Sequence, residues 1–289
     1  ELLPFICQTE GFYEHAVGTS AGSLSPRTNW SQLARYEFAL PPVEEQHKLS
    51  VLAEHARRVE ETLIESRASL HQLRLSLITS LYTRGTRSEP VIATPIGTVP
   101  SSWQVAALGE RYDIQLGKMI SPKAFDADDR TPYIRNANVQ WNSLQLDDVA
   151  TMSFDNREKT KFELRFGDLL ACEGRHVGKT AMWRNEIPGA CYQKSLHRLR
   201  LKEPLRDDPE YMLYCMYYYS IAGRFVAATG ETTIPHLPAE RLRSMLFPFP
   251  SLSEQREISG VISAVDKSLS WLQLRQGSAR QLLKLGLES

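Results

Sequence analysis

The sequence has no net charge, with 34 Lys and Arg against 34 Asp and Glu. No global pull toward nucleic acid or a membrane surface follows, so any such pull must come from a local patch. Cysteine is scarce, and Cys7, Cys172, Cys191 and Cys215 lie far apart. Without a C-x-x-C pair a structural zinc site is not expected. The scattering fits buried, reduced thiols of a cytosolic protein. There is no apolar run of about 18 residues and no signal peptide, so neither a span nor export is expected. The histidines show no H-E-x-x-H spacing and read as scattered surface residues. No Asn-Pro-Pro-Tyr or Asp-Pro-Pro-Tyr motif is present to hold a flipped adenine, and no Gly-rich loop suits S-adenosylmethionine.

Two stretches imitate catalytic motifs and fail. Gly174-Arg-His-Val-Gly-Lys-Thr180 has three residues between its first Gly and the Gly-Lys pair. A phosphate-binding loop needs four, followed by a helix, and Ala181-Met182-Trp183 reads as a strand. Asp168, Glu173 and Arg175 resemble a metal-dependent nuclease cluster with Arg where Lys is needed, and Arg cannot serve as a tunable proton donor. A Gly-Asp turn followed by a charged loop is the simpler account. No catalytic residue, metal or cofactor is therefore expected.

What is present is an internal repeat. Leu40-Pro-Pro-Val-Glu-Glu-Gln46 and Phe249-Pro-Ser-Leu-Ser-Glu-Gln255 each lead into a long helical pattern. An offset of 209 residues places Pro26 on Pro235, Leu33 on Leu242, Leu49 on Ile258, Leu63 on Leu272 and Leu73 on Leu282. In the first copy Leu49, Leu52, Ala56, Val59, Leu63, Leu70, Leu73 and Leu77 step by threes and fours, with Ser66 breaking the seam. In the second, Ile258, Val261, Val265, Leu272, Ala279 and Leu282 fill the same seam, and Ser268 and Arg275 interrupt it. Such a heptad asks for a partner helix, and each copy offers one to the other. About 40 helical residues would form a rod of roughly 60 Å. Residue 1 matches residue 210, whereas the second repeat's globular part begins near Ser101. If the halves are alike, roughly 110 residues of the first are absent at the front.

In chain order, residues 1–40 read as the tail of a globular domain and 41–85 as the first long helix. Pro41-Pro42 and Glu44-Glu45 mark its start, and Arg84-Gly85 its end. Residues 86–100 carry Pro90, Pro95, Gly97 and Pro100 and read as a linker. Residues 101–250 form a second globular domain, with strands expected over 113–117, 132–139, 169–172, 180–183 and 197–202. Alternation in the last places Arg198, Arg200 and Lys202 on one face. Asp208-Pro209 caps a tyrosine-rich helix over 210–222, a loop follows over 230–238, and 239–245 is a short helix. Residues 251–289 are the second long helix.

Charge is concentrated between Arg175 and Lys202. Arg175, Lys179, Arg184, Lys194, Arg198, Arg200 and Lys202 face a single acid, Glu186. Interleaved His176, Asn185, Tyr192 and Gln193 have the chemistry to read base edges while the cations hold phosphates. The alternative is a solvated basic strand pair. The Arg135-Asn136-Ala137-Asn138-Val139-Gln140 cluster offers amides suited to adenine, or is simply a strand end and turn. Thr232, Thr233 and His236 sit on a loop able to follow a phosphate backbone, or forming an ordinary surface turn.

Taken in order, Val99-Pro-Ser-Ser-Trp103, Leu108-Gly-Glu110, Gly117-Lys118, Pro132-Tyr-Ile-Arg135, Phe166-Gly-Asp-Leu-Leu170, Cys172-Glu-Gly174, Val177-Gly-Lys179, Pro248-x-Pro250 and Ser253-Glu-Gln255 resemble the specificity subunit of type I restriction-modification systems. The likeness lies in the ordered set and its duplication about a long helix, and covers essentially the whole chain. It implies an α+β fold: mixed α/β target-recognition domains joined by two long helices that pair as an antiparallel coiled coil. It implies a non-catalytic cytoplasmic subunit that reads a bipartite site in double-stranded DNA, one half per domain, with the helices fixing the gap. It further implies docking of two methyltransferase subunits, which restriction subunits join. The missing front departs from the family's pattern and leaves the reader of the first half-site incomplete. The DNA-contacting set expected on this reading is Lys118, Lys123, Arg135, Asn136, Asn138, Arg175, His176, Lys179, Gln193, Lys194, Arg198, Thr232, Thr233 and His236. A coiled-coil scaffold with an incidental basic face is the alternative.

Overall fold

The computed structural model describes residues 2–22, 26–125, 129–229 and 236–288, without the side chains of 122–123 and 282–288. The chain divides into two compact units, Glu1–Leu73 with Val265–Ser289, and Arg74–Ala264. Two long helices, Val43–Arg84 and Leu252–Glu288, each contribute to both units. The first has acids in its opening turn and Arg84 in its last, and Gly85 ends it at φ +68°. Such a stop suits glycine, which enters the left-handed region without Cβ strain. Exposed ion pairs such as Lys48–Glu44 line its outer face.

In the first unit, Thr9 caps the helix Glu10–Gly18 and Asn29 caps Trp30–Leu33, each side chain accepting a backbone N–H of the first turn. Phe12 packs edge-on against Tyr36, with ring centroids 5.3 Å apart. Glu60 pairs with Arg280, and Arg67 Nη1 lies 3.5 Å from Gln276 Oε1. Rising numbers on one helix meet falling numbers on the other, so the pair runs antiparallel.

The helices do pair, but on a different seam from the expected one. The inward positions of the first helix are Leu49, Ala53, Ala56, Glu60, Leu63, Arg67 and Leu70, whereas Leu52, Val59 and Leu73 face outward. On the second they are Ile258, Ile262, Val265, Leu269, Leu272, Gln276 and Ala279, with Val261 exposed. The side chain of Leu282 lies outside the described residues. Both helices keep the 49/56/63/70 type of position and exchange its partner for the next residue along. The swap is possible because Glu60, Arg67 and Gln276 find polar partners in the seam. A charged side chain can lie at such an interface along its aliphatic stem.

The second unit is built on a four-stranded antiparallel sheet in the order Thr180–Met182, Leu169–Cys172, Leu196–Leu201, Tyr112–Leu116. A three-stranded sheet places Thr131–Ile134 between Cys191–Tyr192 and Ala150–Met152. Gln104–Ala107 pairs with Leu246–Phe249, closing the beginning of the domain onto its end. The tyrosine-rich helix Pro209–Ile221 is buried along most of its length and capped by Asp208, which accepts from the amides of Glu210 and Tyr211. Its Tyr211 carbonyl accepts from Tyr82 Oη at 2.6 Å, and Ile78, Leu81 and Tyr82 join Ile258 and Ile262 in one apolar core.

Residues 86–100 are not an open linker. Val91–Thr94 and Gly97–Pro100 form a hairpin whose Val99 is buried in that core. Val91, Ile92, Ala93, Ile96 and Val99 supply the apolar residues of the hairpin, while Pro90 precedes it, Pro95 lies in its turn and Pro100 is its last residue. The expected strand over 132–139 stops at Ile134 and gives way to a tight turn at Asn136–Asn138.

Candidate nucleic-acid interface

The strand Leu196–Leu201 lies inside the sheet, and this decides the fate of the expected basic face. Arg198 is 3% exposed and its Nη2 lies 2.5 Å from Asp113 on the neighbouring strand. Arg200 pairs with buried Asp168 at 2.6 Å. Lys202 donates to the Gly109 carbonyl at 2.6 Å, and Arg184 to Asn142 Oδ1 at 2.9 Å. Arg198 is therefore withdrawn from the DNA-contacting set. The acids that neutralise this strand come from other strands, so counting charge along the chain overstated the patch. Asp168 is held as the partner of Arg200.

Three more residues of the set have structural duties. Asn138 is buried, accepts from the Arg135 amide, and donates to the carbonyls of Gln145 and Asp148. Its expected role in reading a base is withdrawn, because every hydrogen of its amide is used within the turn. Lys118 Nζ is held by the Ser153 carbonyl at 2.7 Å and Glu158 at 2.5 Å, above the Phe154 ring. Arg135 is paired with Asp148. Tyr192, read as a base contact, is fully buried. Thr232 and Thr233 lie outside the described residues, as does the side chain of Lys123.

The remainder converge. The Gln193-Lys194-Ser195 turn lies against the chain after Tyr112–Leu116, where Lys194 N donates to Lys118 O at 2.9 Å and Lys118 N to Tyr192 O at 3.1 Å. Gly117 permits this approach, since a Cβ there would fall 2.3 Å from the Gln193 carbonyl oxygen. Asn136 bridges to the neighbouring loop, donating to the Gly174 carbonyl at 3.0 Å, while its own amide donates to Ser195 Oγ. Gln193 Nε2 donates to the same hydroxyl at 2.9 Å. Glu173 N donates to Ser195 O, and Glu173 Oε1 accepts from His236 Nε2 at 2.9 Å. Burial pushes the Glu173 carboxyl up, and His236 and Lys194 oppose that shift. Segments from five parts of the chain thus share one surface.

Lys194 is exposed on this surface, Arg175 and His176 are exposed on the loop after Gly174 beside a second depression that Trp141, Lys179 and Phe225 also line, and the side chains of all three make no hydrogen bond or ion pair among the described residues. Arg175 sits at φ +60°, a conformation a non-glycine residue adopts only under constraint. Lys179 is half-buried and donates to Gln140 Oε1 at 3.1 Å. Sequence reasoning did not single out Ser195, Met119 or Ile120, which line the same surface. Exposed apolar residues beside Gly117-Lys118 were the available signal. Elsewhere burial pushes the Cys172 and Cys191 thiols up to about 12, so both are unreactive. Among the described residues no helix is long and apolar enough to cross a membrane.

The sequence profile described as Type I restriction modification DNA specificity domain matches residues 100–276. The chain belongs to this family. It is 21% identical over 255 residues to the type I restriction enzyme MjaVIII specificity subunit of Methanocaldococcus jannaschii, covering 85% of this chain and 59% of that protein. The putative MjaX specificity subunit of the same organism is 21% identical over 247 residues, covering 82% of this chain and 54% of that protein. The chain therefore spans little more than half the length of these relatives. Its fold is similar to the HsdS subunit from Thermoanaerobacter tengcongensis, with a TM-score of 0.57 and 18% identity over 98% of this chain and 67% of that one. It is also similar to the type I restriction-modification S subunit from M. genitalium, with a TM-score of 0.58 and 14% identity over 96% of this chain and 71% of that one. A chain from a type I R-M system structure concerned with complex assembly aligns at TM-score 0.65 and 19% identity, over 98% of this chain and 68% of that one.

Proposed function

We propose that the unit Arg74–Ala264 reads one half of a bipartite site in double-stranded DNA, through the surface carrying Lys194, Arg175, His176, Lys179, Gln193, Asn136 and His236. The observation that carries this is the convergence of segments near 118, 136, 174, 194 and 236, which carry or adjoin exposed cations that have no ion-pair partner among the described residues. Among the domain's other cations, Arg198, Arg200 and Lys118 are paired with Asp113, Asp168 and Glu158, and Lys202 donates to the Gly109 carbonyl. Cations without an ion-pair partner among the described residues give this surface a local electrostatic footprint in a protein with no net charge. Exposed Lys194 and Arg175 are suited to phosphate oxygens, and the amide and hydroxyl groups between them to base edges.

On the same reading the chain is non-catalytic and docks two methyltransferase subunits, which restriction subunits join, and the paired helices set the gap between half-sites. The outward stripe of Leu52, Val59 and Leu73 supports a docking role, since apolar rows left in water mark contact surfaces. It equally suits a scaffold without DNA contacts. Duplex binding measured against salt separates the two. Lys194→Ala should weaken binding and flatten the log–log salt slope by roughly one unit. An unchanged slope would place the phosphate contacts elsewhere, and the absence of salt-dependent duplex binding favours the scaffold.

A further inference from the structure

Met119 and Ile120 are 65% and 44% exposed, directly after Lys118, which forms a β-bridge with Gln193. The backbone before them is pinned by Gly117 N to Leu196 O and by the two hydrogen bonds that tie Lys118 to residues 192–194. The Lys118 side chain is anchored separately on Ser153 and Glu158. The apolar pair follows this pinned backbone and lines a depression of about 380 Å3 shared with Glu173, Gln193, Lys194 and Ser195.

The walls of this depression differ in what they can accept. Lys194 at the rim attracts phosphate. Glu173 is a poor neighbour for phosphate, so the backbone of a bound duplex is favoured at the rim and its base edges at the floor. An exposed apolar pair in that lining needs an apolar group to cover it. In the major groove the base edges offer one such group, the 5-methyl of thymine. Resting on the DNA reading above, we infer that Met119 and Ile120 are a specificity-determining contact to a thymine methyl in the half-site read by this domain.

Uracil is thymine without that methyl, which gives a direct test. The chain is used to select duplexes from a randomised library made with thymine, and from the same library made with deoxyuridine. Selected sites should contain a position where thymine is preferred. Replacing that thymine by uracil should weaken binding about fourfold, the worth of burying one methyl group. In Met119→Ala/Ile120→Ala this discrimination should vanish while the salt slope stays that of the wild type. Both side chains are exposed, so the double variant should also keep the wild-type melting temperature. Uracil tolerated at every position, or discrimination surviving in the double variant, overturns the inference while a steep salt slope leaves the DNA reading standing. A wedge inserted from the minor groove would give the first of those results, because the methyl lies in the other groove. If neither library yields salt-dependent binding, the DNA reading fails and the inference falls with it.

Discussion

Removal of one carboxylate should unfasten the junction of the two long helices within the second unit. Glu254 is 2% exposed at the start of the second helix. Its Oε1 accepts from Thr86 N at 3.0 Å and Thr86 Oγ1 at 3.3 Å, just past the end of the first helix. Its Oε2 accepts from Trp103 Nε1 at 3.1 Å. Glu254→Ala leaves an indole N–H and a backbone N–H without acceptors, at about 1–3 kcal/mol each. With the lost volume, a cost of about 3–5 kcal/mol is expected, a large share of a domain's stability. Glu254→Gln keeps one acceptor but turns an NH2 toward a donor, and should cost less than the alanine variant. The repeat supplies the control. Glu45 occupies the matching place but is exposed, and makes no side-chain hydrogen bond among the described residues. Glu45→Ala should stay within about 0.5 kcal/mol of wild type. Urea denaturation followed by tryptophan fluorescence gives all three values from the midpoint and slope. A cost below about 1 kcal/mol for Glu254→Ala, or equal costs at the two positions, would refute the claim that this carboxylate clamps the helix ends.

Three further outcomes are expected. Arg198→Ala should lower stability by about 1–2 kcal/mol while leaving the salt slope of DNA binding untouched, the reverse of Lys194→Ala, because its guanidinium is bound to Asp113. Gly117→Ala should cost about 1–3 kcal/mol on denaturant titration, since its Cβ would meet the Gln193 and Tyr192 carbonyls with no room to move. Burial lowers the His197 pKa, against the opposing bond to the Leu237 carbonyl. The unfolded chain then holds the extra proton first, so stability falls as pH drops below about 6.5, and His197→Gln should flatten that part of the urea midpoint against pH.

Much of the second unit could be read from local pattern. The strand Leu169–Cys172 is a short apolar run after a Gly-Asp turn, and the Asp208-Pro209 start of the tyrosine helix is written in adjacent residues. What could not be read was pairing across the sheet. Arg198 and Arg200 look free in the sequence because Asp113 and Asp168 stand 85 and 32 residues away. Alternation rightly set Arg198 and Arg200 on one face, but that face meets the chain at Lys161 and Glu163, whose carbonyls accept from the two guanidinium groups. Asn136 and Asn138 illustrate the same limit, since amides that could read adenine are equally apt at closing a turn. Convergence of the segments near 118, 136, 174, 194 and 236 depends on long-range contacts and had no counterpart in local pattern.

The helical seam makes the point in a form that can be tested. Sequence periodicity favours Leu52, Val59 and Leu73 as inward residues because they are apolar, whereas the fold turns inward Ala53, Glu60 and Arg67. Small and paired polar residues win there because they let the helices approach and still find partners in Arg280 and Gln276. The larger apolar residues are left for some other contact. Val59→Lys should then leave the melting curve within the range of ordinary surface changes, about 0.5 kcal/mol. Ala53→Lys, at a position 3% exposed, should cost several times more, because a long cation would have to be buried where a methyl group now packs. If docking uses the outward stripe, Val59→Lys should also weaken capture of a methyltransferase partner without changing the salt slope for DNA. Should Val59→Lys melt the helices while Ala53→Lys spares them, the seam runs where periodicity alone would put it, and the outward stripe is no docking surface.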